Sequence, residues 1–224
     1  MAVSVTVLAS GSKGNCTVVS SGGTRLLVDA GLSCRELLHR LASSGESAGS
    51  IDAILITHEH SDHVGGVHVL AKRLKAPVYM TGATHDAVDP VGFTFRSEGI
   101  KVGVCTDLGY MPASVRHHIR GCQVLMIESN HDLEMLRGGP YPWAVKQRVM
   151  SRVGHLSNDA LADFLTTDYD GGAEFLILAH LSEQNNHPEI ARMTAERALG
   201  EQRNFVRNQL MLAAQHEPLP AVRL

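Results

Sequence analysis

The chain has few aromatic residues, no strong excess of charge and no long apolar run, and each absence excludes a class of protein. Aromatic residues make up 4% of the 224 residues and hydrophobic residues 44%, so a sizeable core must be mainly aliphatic. A formal net charge of −3 gives no global basic field for nucleic acid. No run of 18 apolar residues occurs, which argues against a membrane-spanning helix. We therefore expect one domain, residues 1–224, with no membrane partner.

Cysteine patterns and export signals are missing as well. The four cysteines, at positions 16, 34, 105 and 122, form neither a CxxC pair nor a short-spaced framework, so reduced, buried thiols are expected. Residues 1–5 lack a basic segment followed by a long apolar stretch. These features predict a cytoplasmic protein.

The chain contains 13 histidines, and their positions in the sequence indicate which of them are functional candidates. Directly after the apolar run 54–56, the segment Thr57-His58-Glu59-His60-Ser61-Asp62-His63 places four possible metal ligands within six residues. Imidazole and carboxylate together suit zinc, manganese or iron. A buried strand that delivers such a cluster onto a loop predicts a site for one or two divalent ions.

Segments with strand and helix patterns alternate along the chain, which predicts an α/β layered architecture with helices covering the sheets. A helix capped by Ser33 and a helix over residues 64–74 are among them, as is a helix capped by Ser157 or Asn158. Four apolar strands end within two residues of a possible ligand, at Asp29, His58, Asp107 and His180. Functional groups gather beyond the carboxyl ends of strands in such folds, so these residues predict one shared site.

The motifs resemble those of the metallo-β-lactamase superfamily. His58-x-His60-x-Asp62-His63 matches its HxHxDH hallmark, and residues 29–31 match its upstream DxG segment. Asp107 and His180 lie in segments similar to its later aspartate and last histidine motifs. Five further segments, at residues 8–16, 85–93, 128–132, 139–143 and 154–158, resemble the YycJ/WalJ-type branch, described as DNA exonucleases of the bacterial cytoplasm. The resemblance covers nearly the whole chain and implies an αββα sandwich of two mixed β-sheets flanked by helices.

The resemblance also implies two divalent metal ions, zinc, manganese or iron. His58, His60 and His85 would bind the first ion, Asp62, His63 and His180 the second, and Asp107 would bridge them. Two close cations lower the pKa of a shared water and neutralise charge on a phosphoryl group. Asp62 would orient the resulting hydroxide, and Asp29 would steady the histidine loop.

A leaving alkoxide needs a proton, and a comparison with ribonuclease Z of the same superfamily suggests the donor. Its HEAT and GHST segments are similar to the segments that contain Glu128 and His155. The resemblance implies that His155 is a general acid or a phosphate ligand, oriented by Glu128. Alternatively, His155 only caps the helix that begins near Ser157.

Local charge favours a nucleic-acid substrate. Residues 137–152 contain four cations and no acid, together with Tyr141 and Trp143. Cations follow phosphates and aromatic faces stack on unpaired bases, so Tyr141, Trp143, Lys146 and Arg148 are candidate DNA contacts. Lys13 and Asn158 are further candidates. The alternative is a basic helix face with Trp143 in the core.

One segment departs from the family pattern. Only 21 residues separate His63 from His85, where the resembled family has several dozen. Such an internal deletion predicts a shortened sheet, altered geometry at His85 and partial occupancy of the first metal position.

The sequence therefore predicts a hydrolase that cleaves DNA phosphodiester bonds, as a 5′-to-3′ exodeoxyribonuclease that uses a metal-bound hydroxide. The same hydroxide would also serve a hydrolase of a small carbonyl substrate, such as a β-lactam, lactone or thioester. A weakly active truncated homologue is the third possibility that the deletion leaves open.

Overall fold

The computed structural model of the chain describes residues 2–81, 90–200 and 209–224. These residues divide into two compact units. The first unit comprises Met1–Val91, Ser97–Ile100 and Ala213–Leu224, and the second comprises Gly92–Arg96 and Lys101–Leu212. The expectation of one domain over residues 1–224 stays a prediction.

The first unit is built on a mixed six-stranded sheet. Its strands are β1 (Ser4–Ala9), β2 (Cys16–Ser21), β3 (Thr24–Val28), β4 (Ala53–Leu55), β5 (Val78–Tyr79) and β11 (Val222–Arg223), in the order β11-β1-β2-β3-β4-β5. β1 and β2 form an antiparallel hairpin, whereas β3, β4 and β5 run parallel to one another. Parallel strands present their carboxyl ends at the same edge, which sets the place of the histidine loop after β4.

Helices cover this sheet through an aliphatic core. They are α1 (Cys34–Ser43), α2 (Ser61–Val64) and α3 (Val67–Leu74). Leu37 and Leu41 of α1 and Leu70 of α3 are fully buried in the core with Leu27 and Ile54 of the strands. Burying a leucine side chain contributes roughly 1.5–3 kcal/mol, so this packing holds the helices on the sheet. The Ser33 hydroxyl caps α1 as predicted, since it accepts from the backbone N–H of Glu36 at 3.3 Å.

The prediction of one helix over residues 64–74 is wrong at its start. The helical conformation is interrupted at Gly65 and Gly66, which lie between α2 and α3. A Cβ atom on Gly66 would lie 2.0 Å from the carbonyl oxygen of Leu32, and one on Gly65 would lie 2.9 Å from that of Gly31. The two glycines therefore let this turn lie against the loop that follows β3.

The second unit contains a five-stranded sheet with helices of its own. Its strands are β6 (Phe93–Ser97), β7 (Ile100–Cys105), β8 (Val124–Glu128), β9 (Phe175–Ala179) and β10 (Gln209–Leu212), in the order β10-β9-β8-β7-β6. Its helices are α4 (Ala113–Ile119), α5 (Leu133–Gly138), α6 (Trp143–Val149), α7 (Asn158–Thr167) and α8 (Pro188–Gly200). β7 to β10 are parallel, and their buried aliphatic residues pack against α7 and α8. Two mixed sheets flanked by helices confirm the predicted fold class. The expected shortening of one sheet stays a prediction.

Three strand ends share an unusual backbone conformation. Asp29, Asp107 and His180 have φ angles of 61°, 60° and 57°, in the left-handed region. They follow β3, β7 and β9 by one, two and one residues. A left-handed non-glycine residue costs of the order of 1–3 kcal/mol and persists only where the surroundings enforce it. All three are residues that the sequence assigns to the metal site or its support.

The cysteines are unpaired, as expected. Cys16, Cys105 and Cys122 are buried, and burial raises the pKa of the Cys122 thiol to about 11. A thiol with so high a pKa is almost entirely protonated at neutral pH and reacts slowly.

Among residues 2–81, 90–200 and 209–224, no helix is long and apolar enough to cross a membrane.

Candidate metal-binding and catalytic site

In the first unit, the loop after β4 gathers three imidazoles. The ring centroids of His58 and His63 lie 4.0 Å apart, and those of His58 and His60 lie 4.5 Å apart. Nε2 of His58 is 2.8 Å from Nδ1 of His60. His58 and His63 are buried, whereas His60 is exposed. Asp62 completes the group, with its Oδ2 atom 3.4 Å from Nε2 of His63.

The Asp29 carboxylate anchors this loop through hydrogen bonds. Its Oδ1 atom accepts from the backbone N–H of Thr57 at 2.8 Å, and its Oδ2 atom lies 2.8 Å from Nδ1 of His63. The Thr57 hydroxyl is also within 3.0 Å of both carboxylate oxygens. Because a carboxylate only accepts, Nδ1 of His63 must carry the proton of the neutral ring, and Nε2 is then an acceptor, as the predicted metal ligation requires. This contact agrees with the supporting role predicted for Asp29.

Asn15 is a supporting residue that the sequence did not single out. Its Nδ2 atom lies 2.9 Å from Nε2 of His63 and 3.2 Å from Oδ2 of Asp62. Its backbone N–H donates to the carbonyl of Asp62 at 2.7 Å. The only signal was its place in segment 8–16, which resembles the exonuclease branch. Asn15 joins the β1–β2 turn to two of the proposed ligands.

In the second unit, the carboxylate of Glu128 is the centre of the candidate site. It is fully buried, and its Oε1 atom lies 2.8 Å from Nδ1 of both His155 and His180. Its Oε2 atom accepts from the backbone N–H groups of Leu108 and Leu156, at 2.6 Å and 3.2 Å. Both histidines must therefore hold a proton on Nδ1, and Nε2 is the ring nitrogen that faces away from Glu128. The sequence foresaw the contact with His155 but not the one with His180.

These contacts shift the pKa values of the pair. Burial raises the pKa of Glu128, but the charge of His155 and the hydrogen bonds from both histidines outweigh it, so this pKa lies below its usual value. Burial lowers the pKa of His155, but the charge of Glu128 and its hydrogen bond outweigh that effect, so the pKa of His155 is raised. Both shifts favour the charged form of the group, the carboxylate of Glu128 and the protonated ring of His155. The His155 side chain keeps 27% of its surface exposed, so its proton is accessible.

Asp107 lies against the same two rings. Its Oδ1 atom is 3.5 Å from Nδ1 of both His155 and His180. Asp107, Glu128, His155 and His180 offer ligand atoms that all lie within 4.8 Å of one another. Asp107 and His180 of this group suit a divalent transition metal, whereas Glu128 already accepts from both histidines and His155 is the candidate proton donor.

The alternative role for His155 as a helix cap is wrong. α7 is capped by Ser157, whose hydroxyl accepts from the backbone N–H of Ala160 at 3.1 Å. The His155 ring instead faces Glu128.

A buried polar network ties together the three loops that carry Glu128, His155 and His180. Asn186 donates from Nδ2 to the carbonyls of Ser129 and Asn130, at 2.9 Å and 3.0 Å. Asn186 and Asn158 also exchange side-chain hydrogen bonds, and Asn130 donates to the carbonyl of His180 at 2.8 Å. The last bond fixes His180 in its left-handed conformation.

His131 is buried beside this network. Burial lowers its pKa to about 4, so the ring is neutral at pH 7. Its Nδ1 atom lies 3.3 Å from Oδ1 of Asn130. Its Nε2 atom has no hydrogen-bond partner within the described part of the chain.

The residues predicted to contact DNA differ in their exposure to solvent. Trp143 is 62% exposed at the start of α6, so it is not a core residue. Arg148 is exposed too, and Tyr141 is half-buried. Lys13 is exposed in the turn between β1 and β2 of the first unit.

Lys146 and Asn158 do not suit substrate contact. Lys146 is buried, and its Nζ atom donates to the carbonyl of Arg137 at 2.6 Å. Asn158 is 2% exposed, and its amide is engaged by Ser129 and Asn186. Both side chains stabilise the second unit instead. His85, the remaining predicted ligand, lies outside the described residues.

The fold and these side chains define a hydrolase of the metallo-β-lactamase fold, and the chain belongs to the metallo-β-lactamase superfamily, whose family model matches residues 9–181. The chain is similar to the exodeoxyribonuclease YycJ of Bacillus anthracis, with 35% identity over 90% of each chain. It is also similar to the exodeoxyribonuclease WalJ of Streptococcus pneumoniae serotype 2, with 34% identity over 84% of this chain and 85% of the relative. Among solved structures, the metallo-β-lactamase fold protein YhfI of Bacillus subtilis matches 98% of this chain and 99% of its own at 17% identity, with a TM-score of 0.67. This last match supports the fold alone.

The alignment with the Bacillus anthracis relative has more positions than this chain contributes residues to it. It runs over 243 positions while covering 90% of 224 residues. The relative therefore has residues without a counterpart here, as an internal deletion predicts.

Proposed function

We propose that the protein is a metal-dependent nuclease that hydrolyses phosphodiester bonds in DNA, acting as a 5′-to-3′ exodeoxyribonuclease. The observation that carries this proposal is the buried Glu128 carboxylate, hydrogen-bonded to both His155 and His180. A phosphodiester hydrolase needs a proton donor for its leaving alkoxide, and His155, whose pKa Glu128 raises, could supply that proton. The names of the two relatives support the choice of DNA and of exonuclease activity.

The metal assignment in the proposal follows the family pattern. His58, His60 and His85 would hold one ion, Asp62, His63 and His180 the other, and Asp107 would bridge them. Zinc, manganese and iron all suit these ligands. When bound, the ions would lower the pKa of a water and neutralise charge on the phosphoryl group.

The residues of the chain have separate tasks in this proposal. Nδ1 of His63 lies against Asp29 and Nδ1 of His180 against Glu128, so Nε2 of each ring would be the atom that binds a metal. Asp62 would orient the attacking water. His155 would hold a proton on Nε2 and donate it to the leaving oxygen, because Glu128 raises the pKa of His155 against the effect of burial.

Trp143, Tyr141 and Arg148 would contact the DNA. The exposed Trp143 ring offers a stacking face, and Arg148 offers a charge for phosphate. Lys13 would contact phosphate from the first unit. We further propose that the protein works in the cytoplasm, a setting that suits four unpaired cysteines.

A comparison of substrates tests the proposal. End-labelled single- and double-stranded DNA and a chromogenic β-lactam are incubated with manganese, with zinc and with excess chelator. We expect DNA to shorten from the 5′ end only when metal is present, and the β-lactam to stay intact. DNA cleavage that persisted in chelator would refute the metal mechanism. Turnover of the β-lactam without DNA cleavage would favour a carbonyl substrate instead.

A further inference from the structure

The turn between β1 and β2 is held by a buried glutamine from a distant part of the chain. Oε1 of Gln215 accepts from the backbone N–H of Lys13 at 2.7 Å, across 202 positions. Nε2 of Gln215 donates to the carbonyl of Gly14 at 3.0 Å. An amide accepts and donates at once, so one side chain satisfies both backbone groups of the turn. The family model matches residues 9–181, so Gln215 lies outside the part of the chain that it covers.

The backbone around Gln215 is itself held in place. Arg40 of α1 is buried, and its Nη1 atom donates to the carbonyls of Leu8 and Gln215, at 3.0 Å and 2.8 Å. The carbonyl of Ala214 accepts from the backbone N–H of Ser10 at 3.0 Å. Hydrogen bonds from a charged donor are roughly twice as strong as neutral ones, so Arg40 fixes Gln215 firmly against the end of β1.

Two glycines let the turn pack tightly against its neighbours. Gly11 and Gly14 have φ angles of 147° and 152°. A Cβ atom on Gly11 would lie 2.6 Å from Oε1 of Gln215, and one on Gly14 would lie 2.5 Å from Cδ2 of Leu32. With contacts this close, a change in the Gln215 side chain must alter the position of the turn.

Asn15 connects the turn to two proposed metal ligands. Its Oδ1 atom accepts from the backbone N–H of Gly11 at 2.9 Å, so the turn orients the amide. Its Nδ2 atom lies 3.2 Å from Oδ2 of Asp62 and 2.9 Å from Nε2 of His63. The contact with Asp62 is the one that bears on the reaction, because Nε2 of His63 is proposed to bind a metal. Movement of the turn would withdraw the Asn15 amide from Asp62.

We propose that Gln215 is a positioning residue for the candidate metal site, acting through the turn and Asn15 on Asp62. We call these three parts, Gln215, residues 11–14 and Asn15, the relay. The inference rests on the proposed function, because Asp62 is proposed there to orient the attacking water. It adds that a residue of the segment 213–224 controls metal affinity and turnover without touching metal or substrate.

Zinc binding and DNA cleavage by variants test the relay. Gln215→Met keeps the length of the side chain and removes both hydrogen bonds. Competition with a chromogenic chelator gives Kd for zinc at its tighter site, without any substrate. We expect Asn15→Ala to raise this Kd about 10- to 100-fold, the usual effect of losing a residue that supports metal ligands, and Gln215→Met to raise it about 3- to 10-fold. In both variants kcat on DNA should fall while KM changes little, because Asp62 acts on the attacking water and not on substrate binding.

A double-mutant cycle distinguishes the relay from a general loss of stability. If Gln215 acts through Asn15, Gln215→Met should change Kd very little once residue 15 is alanine. Should thermal melting show that Gln215→Met has unfolded, Gln215→Asn takes its place, since its amide is one methylene too short to reach both partners.

Gln123→Met is the matched control. Oε1 of Gln123 also accepts from a backbone N–H at 2.7 Å, that of Lys101. This contact lies near the starts of β7 and β8 in the second unit, away from the strand ends that carry the site. Gln123→Met should therefore lower Tm but leave Kd for zinc and kcat unchanged.

The outcomes separate the relay from the proposed function. Wild-type Kd and kcat in Gln215→Met, or an equal loss with and without Asn15, would overturn the relay while metal-dependent DNA cleavage could still stand. A loss that disappears in the Asn15→Ala background would support it. If that coupling is found in zinc binding but the wild type cleaves neither DNA nor bis(p-nitrophenyl) phosphate, the proposed function fails and the relay remains.

Discussion

At the scale of single residues, Glu128 sets the protonation of two histidines at once. One carboxylate oxygen lies 2.8 Å from Nδ1 of both rings, and the other accepts two backbone N–H groups. A carboxylate has about four lone-pair directions, so its accepting capacity is fully used. The two histidines differ in exposure, since the His180 side chain is 4% exposed and that of His155 is 27% exposed. The same residue thus contacts both the proposed buried ligand, His180, and the proposed proton donor, His155, which reaches solvent.

Replacing His155 with alanine should slow DNA cleavage by about 10²- to 10⁴-fold, the usual contribution of general acid catalysis. The metal content should stay the same, because His155 is not among the proposed ligands. Turnover and metal analysis of the same preparation check this expectation. His117→Ala, at an exposed histidine of α4, is the control and should leave both unchanged. Normal turnover in His155→Ala would remove the role from His155.

His131 should make the free energy of unfolding depend on pH. Burial lowers its pKa to about 4, whereas the unfolded chain binds that proton near pH 6.5. Between these values the unfolded state binds more protons, so stability is lost as the pH falls. We expect the wild type to lose roughly 1–3 kcal/mol more than His131→Met does on going from pH 7 to pH 4. Urea denaturation of both proteins at several pH values measures the difference. Parallel pH profiles would show that His131 does not contribute.

At the scale of elements, Asn186 joins the loops after β8 and β9 to the start of α7. Its amide nitrogen donates to two backbone carbonyls, and its oxygen accepts from Asn158. Only an amide can donate and accept in this arrangement. The loops that place Glu128, His155 and His180 are therefore held by one side chain that touches none of these three.

Asn186→Asp should be more harmful than Asn186→Ala, although aspartate has nearly the same shape. Alanine leaves the Ser129 carbonyl and the Asn158 amide without the Asn186 side chain, at about 1–3 kcal/mol per buried group, while the Asn130 carbonyl still accepts from the backbone N–H of Ser182. Aspartate adds a buried negative charge that faces those carbonyls. Urea denaturation gives the free energy of unfolding, and kcat on DNA should fall in both variants as the loops lose their positions. Equal stability of the two variants would contradict the assigned hydrogen-bond directions.

The sequence predicted the local features of these elements well. The Ser33 cap and the strands that end at Asp29 and His180 follow from short patterns. These signals lie within a few residues of the feature that they predict, so one sequence is enough to recognise them.

The features that the sequence missed depend on contacts between distant residues. Asn15 meets His63 across 48 positions, and Asn186 meets Ser129 across 57. The break between α2 and α3 depends on the carbonyl of Leu32, which lies far from Gly66 along the chain. The short helix α5 was also missed, although Asp132 caps it by accepting from the backbone N–H of Met135 at 2.8 Å. None of these partners is visible in a local pattern.

At the scale of the whole molecule, bound metal should contribute to stability. A ligand that binds only the folded state stabilises it by RT ln(1 + [L]/Kd), about 2.7 kcal/mol at a hundredfold excess over Kd. We expect Tm to rise with added zinc or manganese and to fall in excess chelator. In a variant that replaces His63 with alanine, this response should be weaker. A Tm that changes with neither metal nor chelator would contradict a metal site formed by the folded chain.

The short spacing of 21 residues between His63 and His85 leads to a separate expectation about metal content. We expect the protein, after saturation and desalting, to retain more than one but fewer than two equivalents of metal. The position proposed for Asp62, His63 and His180 should be filled first, because Asp29 and Glu128 contact Nδ1 of its two proposed histidine ligands. Metal analysis by mass spectrometry tests this, and two full equivalents would show that the deletion leaves the first position intact.

The left-handed conformation of Asp107 affects how its mutants must be interpreted. Any residue other than glycine or asparagine at this φ of 60° changes the backbone energy as well as the side chain. Asp107→Val would therefore combine loss of the carboxylate with strain from a β-branched side chain, and even alanine keeps part of that strain. Asp107→Asn removes the charge but retains a side chain that tolerates this conformation. For Asp29, Asp107 and His180, asparagine is therefore a better reference substitution than alanine.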